Sequence, residues 1–479
     1  MKMRFTLSAI IAIGLFFIAT ASTSSFAKSK APFCPSKADW FPHPAAMPIE
    51  VAKSEDNGKS SNFCDFYQFS WHAFLYLMSP NTETPTKRNF QVEANYPILE
   101  ISDDKKPVDS CDSLESGNRL FVTLNKSNGL PERIHQAGDG ATIYDQNDNV
   151  VYYDVRFSKN MCDDAKTITT LNNFPTGTTE IKTAWKVIGK NDKKSDFLTM
   201  TTTIGSDTKE TTLGLVGFHL AVATTDHPEF VWATYEHKNN DPDCGDAKTS
   251  ADGSWSFTSD ACTKALKDKD PLDIVQCEFN VANKQKSITG SPTEICREYP
   301  YGTDSSDPNA SENLKSVTSL NADVNKNLSG DMAILKKYFN VGDIWVSKPD
   351  LSSDISNQRG SLRLANTVAE TTFQAVDINP KTNHGFASNC FGCHGFVGKK
   401  QTFNKNTTSG GLSHIFDDIA AGLGVCMDVQ AGPIFSNSDA KQKCPSACSG
   451  SSSLYTWNNQ WKTTVEGLMS VCGCCPIPK

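Results

Sequence analysis

Cys390-Phe391-Gly392-Cys393-His394 sets two thiols three residues apart, with an imidazole directly after the second. Thiols so spaced can add across both vinyl groups of one haem while the following side chain binds its iron. This is the C-x-x-C-H attachment pattern of c-type haem. One short turn has to present both sulfurs and the nitrogen to a single planar ring. With 16 Cys and 9 His in 479 residues, composition alone produces such a pentad in roughly one chain in a hundred. The competing reading is half a zinc site, or a disulfide beside an incidental His394. Cys472-Gly473-Cys474-Cys475 also contains C-x-x-C, but Pro476 follows it, so it does not suit haem. One covalent haem c is expected, on Cys390, Cys393 and His394.

The sixth iron ligand stays open. His414 lies 20 residues past His394, at the start of an expected helix, and Met427 lies 33 past it; a remote ligand or none completes the choice. Methionine raises the haem potential relative to a second imidazole, whereas an open position admits small molecules. His219, Glu236 and His237 invite a metal or acid–base reading. Histidines at the ends of apolar runs are, however, usually satisfied by hydrogen bonds. Gly58-Lys59-Ser60 is not a phosphate loop, because Lys53 stands where its first glycine is required. Neither G-x-S-x-G nor H-E-x-x-H occurs, which removes the common hydrolase and metalloprotease templates.

The elements that must hold these groups read as α+β and multidomain. Residues 149–156, 196–204, 213–224 and 230–235 are strand-like runs bounded by polar turn residues. Phe66, Phe69, Ser70, Ala73, Phe74 and Leu77 fall at helical spacing within 63–77. Residues 28–350 are therefore expected to form a β-rich mixed domain, with a polar loop over 238–260. Residues 351–427 form the expected α-helical haem segment: Leu362, Ala365, Ala369 and Phe373 make a helical stripe, and a second helix is expected over 415–423.

Lys2 and Arg4, the apolar run 7–19 and Ser25-Phe26-Ala27 read as a signal peptide over 1–27. Cleavage there takes the formal charge from −8 to −10. That acidity argues against nucleic acid as a partner, and no later run is long enough for a membrane span. A periplasmic or secreted protein follows. The 14 cysteines outside the haem motif are an even number, compatible with seven disulfides whose pairing the sequence does not give.

Ala431-Gly432-Pro433-Ile434-Phe435-Ser436-Asn437, Asp439-Ala440, the run 459–467 and Met469-Ser470-Val471 keep a distinctive order and spacing. Through them residues 428–479 resemble the mannan-binding lectin family of Microcystis viridis lectin type. The resemblance implies a small three-stranded antiparallel sheet with one helix, and binding of a mannose- or N-acetylglucosamine-containing glycan. The residues themselves agree: Ser438 can cap a helix through Ala447, and 460–465 with 468–472 can form a hairpin. Gly432, Pro433, Phe435, Asn459, Gln460 and Trp461 are the candidate sugar contacts. Trp461 and Gln460 could equally be a core and a turn residue. Phe435 stands where that family commonly has Trp, and Asn459 where it commonly has Gly. Cys444, Cys448, Cys472 and Cys474 are expected to staple so small a unit.

Residues 180–185, 232–237 and 364–367, together with the pentad, are similar to a group of bacterial exported cytochrome c-family proteins. That resemblance supplies no reaction. The leading reading is an exported mono-haem cytochrome, transferring electrons to an unknown redox partner and carrying a lectin-like module. A haem-dependent oxidoreductase or peroxidase-like enzyme acting on glycans is the first alternative. A carbohydrate-binding adhesion protein with a structural or sensory haem is the second.

Overall fold

The computed structural model describes residues 32–97, 124–125, 130–131, 142–160, 174–203, 209–246, 248, 250, 253–281, 288–347, 357–371, 374, 389–394, 426–451, 455–465 and 469–476. The expected signal peptide, His414 and the expected helix 415–423 lie outside them.

Helix α1, Phe63–Met78, forms where the apolar spacing places it. Asn62 accepts a hydrogen bond from the Asp65 backbone N–H, and the Asp65 carboxylate accepts one from that of Asn62, both at 3.0 Å. This reciprocal cap satisfies amides that the first turn leaves unpaired. Ser79, extended ahead of Pro80, ends the helix, because a residue before proline is driven out of helical geometry. All six residues of the expected stripe are buried. Phe74 stacks on Tyr235 at 3.8 Å and Phe66 on Trp345 at 4.0 Å. Each fully buried ring of this kind contributes about 1.5–3 kcal/mol.

The surface beneath α1 is an antiparallel sheet. Its strands are β1 (Tyr152–Phe157), β2 (Thr179–Val187), β3 (Thr199–Thr203), β4 (Glu210–Val222), β5 (Val231–His237), β6 (Tyr338–Val346) and β7 (Gln358–Gly360). The order is β1-β2-β4-β5-β6-β7, and β3 shares with β5 the edge of β4 opposite β2. The four sequence-read runs correspond to β1, β3, β4 and β5. Helices α2 (Asp260–Asp268) and α3 (Pro271–Cys277) follow the polar stretch. Helix α4, Ala310–Asn327, packs with α1 over the sheet through Val317, Leu320 and Val324. The opposite face carries a second apolar cluster that includes Val155, Ala221, Trp232, Ile344 and Phe391.

The helical stripe expected over 362–373 is not a helix among the described residues; 361–371 form turns laid on the sheet. The reason is polar. Asn366 donates to Thr234 Oγ1 at 2.9 Å, and the Thr367 N–H donates to Glu236 Oε1 at 2.7 Å. Those tertiary bonds fix a conformation that local spacing does not encode. Gln358–Gly360 pair with β6, so the chain just past the expected boundary at 350 is part of the large sheet.

Asp343, on β6, is buried near the α1–α4 junction, and no ion pair reaches it among the described residues. Asn340 Nδ2 donates to its Oδ1 at 2.7 Å. Burial pushes this carboxyl up to about 8, against the pull of its hydrogen bonds. The folded state therefore keeps a proton that the unfolded chain releases near its ordinary value of about 4. Stability from this group is full below about pH 4 and is lost as pH rises toward about 8. Asp343→Asn should flatten that slope and be more stable than wild type at pH 8, by on the order of a few kcal/mol. Equal slopes in urea titrations from pH 4 to 8 would contradict the assignment.

The C-terminal unit contains β8 (Met427–Gln430), a helix (Asn437–Ser451), β9 (Tyr455–Val465) and β10 (Met469–Pro476). Its three-stranded sheet has order β8-β10-β9, antiparallel throughout, as the resemblance implied. Val465 pairs with Met469, which places the hairpin at the expected turn. The helix cap is Ser436 rather than Ser438, because Ser436 Oγ accepts from the Asp439 N–H at 3.1 Å. The helix also runs past Pro445 and Ala447 to Ser451.

Candidate functional sites

The pentad Cys390–His394 lies on a single helical turn, α5 (Cys390–Cys393), closed by a hydrogen bond from the His394 N–H to the Cys390 carbonyl at 2.9 Å. Asn389 ties it to the large domain by donating to Gln358 Oε1 and to the Leu362 carbonyl, each at 2.9 Å. Phe391 is fully buried, its ring edge-on to Trp232 with centroids 5.9 Å apart. The His394 ring lies 4.6 Å from that of Trp232, tilted by 49°. The residues present fit a c-type haem in kind: a cysteine opening a helical turn, an imidazole closing it, and an apolar aromatic wall beside both. Of the two distal candidates, His414 is outside the described residues. Met427, at the end of the expected haem segment, is the first residue of β8, paired with Cys474, and so belongs to the small sheet.

His219 and Thr234 are register partners on β4 and β5, as are Ala221 and Trp232. Strand alternation puts His219 and Trp232 on the same face of the sheet. His219 Nε2 is 3.2 Å from Glu370 Oε1, both side chains being partly accessible. Burial, helped by Lys182, pushes the imidazole down to about 3, and burial pushes Glu370 up to about 7. His219 is therefore neutral at physiological pH. Glu236 and His237 are structural. His237 is enclosed, with Nε2 2.8 Å from the Asp196 carbonyl and its ring stacked on Phe197 at 4.4 Å. Glu236 is wholly buried, paired with Arg297 and hydrogen-bonded by Thr367. Cys244, Cys296 and Glu298 lie close enough to suggest a metal, but the two cysteines form a disulfide and have no thiolate to offer.

Three of the sugar candidates of the C-terminal unit, Asn459, Gln460 and Trp461, are placed by a bulge in β9. Trp457 is opposite Cys474 and Trp461 opposite Cys472, so four steps on β9 face two on β10. Asn459 sits inside the bulge at φ 66°, a left-handed conformation that glycine adopts freely and asparagine tolerates. That accounts physically for Asn where Gly is common. Gln460 is held at both ends: its N–H donates to Asn458 Oδ1 at 2.9 Å and its carbonyl accepts from Trp457 Nε1 at 2.7 Å. Trp461 is half-buried, packs on the small core, and donates from Nε1 to Asn437 Oδ1 at 2.8 Å. That bond joins the bulge to the segment Gly432–Asn437.

Along that segment Gly432 has φ +67° with open space around it, Lys443 Nζ donates to the Pro433 carbonyl at 2.5 Å, and Phe435 is 71% exposed. Asn437 was not among the sequence-read contacts. Its signal was present, since it ends the same matching run as Phe435. A half-accessible indole among amides offers a ligand an apolar face with hydrogen-bonding groups at its rim. Residues 437–474 match the model of the mannan-binding protein family. The match covers this unit and not the rest of the chain. No curated protein and no solved structure matches the chain.

Proposed function

We propose that the chain is an exported mono-haem c-type cytochrome whose C-terminal module holds it on a mannose- or N-acetylglucosamine-containing glycan. The observation that carries the reading is the C-x-x-C-H turn seated against Trp232 in the same chain as a unit similar to mannan-binding proteins. Cys390 and Cys393 would hold the haem, and His394 would ligate its iron. When bound, haem supplies a one-electron ferric/ferrous couple. His414 is the favoured sixth ligand, with Met427 as the alternative. The disulfides of the described residues fit a periplasmic or secreted location. No helix among the described residues is long and apolar enough to cross a membrane.

The second reading, a haem-dependent oxidoreductase acting on glycans, draws support from one feature. The partly accessible His219–Glu370 pair shares the sheet face of Trp232, where it could handle a proton.

Denatured protein on a gel should keep haem-dependent peroxidase staining, and Cys390→Ala with Cys393→Ala should lose it. Release of the haem into acid acetone from wild type would defeat the cytochrome reading. On a glycan array the full chain should bind weakly, as one copy of a small site does. Trp461→Ala should weaken that binding about tenfold or more, equivalent to about 1.4 kcal/mol. Undiminished binding by folded Trp461→Ala would place the sugar elsewhere.

A further inference from the structure

We propose that Trp232 is the positioning residue for the His394 imidazole, an inference that rests on the haem reading above. Its indole contacts the imidazole directly and is itself fixed from several sides. The Nε1–H donates to the Glu229 carbonyl at 3.1 Å, the ring meets Phe230 edge-on at 5.4 Å, and Phe391 closes a further side. The backbone is equally fixed, since β5 is paired on both edges and Trp232 faces Ala221 on one side and Ile344 on the other. The chain enters β5 through Phe230 at φ 72°, a left-handed conformation that bulky residues avoid. Complete burial of Phe230 holds it there. Backbone strain of this kind persists only where the surroundings over-determine it. Here it delivers Trp232 to the one turn in the chain that carries C-x-x-C-H.

A residue so placed does two things to an iron ligand. It restricts rotation of the imidazole, which sets the orientation of the ligand orbitals, and it keeps water from one side of the ring. Partners around a metal ligand tune affinity and potential in this way. Water stabilises the more highly charged ferric state, so exclusion of water raises the potential.

The test uses full-length haem-loaded protein, with haem counted per chain by the pyridine haemochrome spectrum. Potentiometric titration reads the potential, and electron paramagnetic resonance of the ferric form reads ligand orientation. Trp232→Ala should lower the reduced-to-oxidised ratio at fixed potential about threefold to tenfold, the latter being about 59 mV for one electron. It should also shift the ferric resonance, and Trp232→Phe should fall between. Val346→Ala, a truncation in the same buried cluster, should destabilise the fold without moving either readout. Should Trp232→Ala fail to fold, Trp232→Phe decides: a shifted resonance supports the role and an unchanged one overturns it. Unchanged potential and resonance with one haem per chain would overturn the role of Trp232 and leave the haem reading standing. Wild type without covalent haem would overturn the haem reading itself.

Discussion

Reduction of the native protein should unfold the C-terminal unit while the large sheet survives. The core of that unit consists of Ile434, Ala440, Tyr455 and four half-cystines, Cys444, Cys448, Cys472 and Cys474. Four of the seven buried residues of this cluster are therefore half-cystines. They pair as Cys444–Cys472 and Cys448–Cys474, and Cys426–Cys475 closes the sheet edge, with separations of 26 to 49 residues. Loops of that size contribute about 2–4 kcal/mol per bridge, through restriction of the unfolded chain. A single core of this size supplies no more than about 3–5 kcal/mol. Losing two bridges already removes the whole margin. The large sheet has extensive apolar layers on both faces and does not depend on sulfur in this way. Under a phosphine reductant, amides of β9 and β10 should lose hydrogen-exchange protection while those of β4 and β5 keep theirs. The double variant Cys444→Ala, Cys472→Ala should lose about 2–4 kcal/mol. Protected amides in β10 of fully reduced protein would show that the unit folds on its other contacts.

Much of this architecture was legible because it is local. The capping pair Asn62 and Asp65, the apolar stripe behind them and Pro80 together specify α1 without reference to anything distant. Strands β1, β4 and β5 announce themselves as apolar runs between turn residues. Helix α4 did not, because its buried face includes the polar residues Asn313 and Ser316, and Asn313 is there to accept a hydrogen bond from Tyr67 far along the chain. The stripe at Leu362, Ala365 and Ala369 misled for the converse reason. Apolar residues at helical spacing were present, but Asn366 and Thr367 between them bond into the sheet and hold the chain in turns.

The candidate sites divide in the same way. Residue types and spacing pointed to Cys390, Cys393 and His394, since that chemistry is compressed into five positions. Where the turn docks was not legible, because it depends on Asn389 reaching Gln358 and on Trp232 approaching from a different strand. In the small unit Asn459 stands where the mannan-binding lectins it resembles commonly have Gly. Its positive φ within the bulge explains why asparagine can stand there.

Arg297→Met should be among the most damaging single changes, and its effect should depend on pH. The Arg297 guanidinium pairs with Glu236, with Asp241 at 3.4 Å and with Asp243 at 3.1 Å, and lies over the Phe339 ring. Glu236 and Asp241 are almost wholly enclosed. Burial pushes Asp241 up to about 7 even though Arg297 pulls it down. Methionine fills similar space but leaves both carboxylates without their cation, a loss of about 3–5 kcal/mol for a broken buried pair. Without that pull the affinity of Asp241 for a proton rises further. Folded, Asp241 of the variant takes up a proton that the unfolded chain has released, so the deficit against wild type should shrink as pH falls from about 8 toward 5. Glu236→Gln added to Arg297→Met should recover part of the loss, since it removes the stranded charge. The damage should also reach the candidate sites. Thr367 hangs on Glu236 and Asp241, and the turn it anchors sets Glu370 beside His219. Urea titrations at pH 5 and pH 8 separate the possibilities: a loss of less than about 1 kcal/mol, or the same loss at both pH values, would mean that Arg297 is not the charge on which this buried cluster depends.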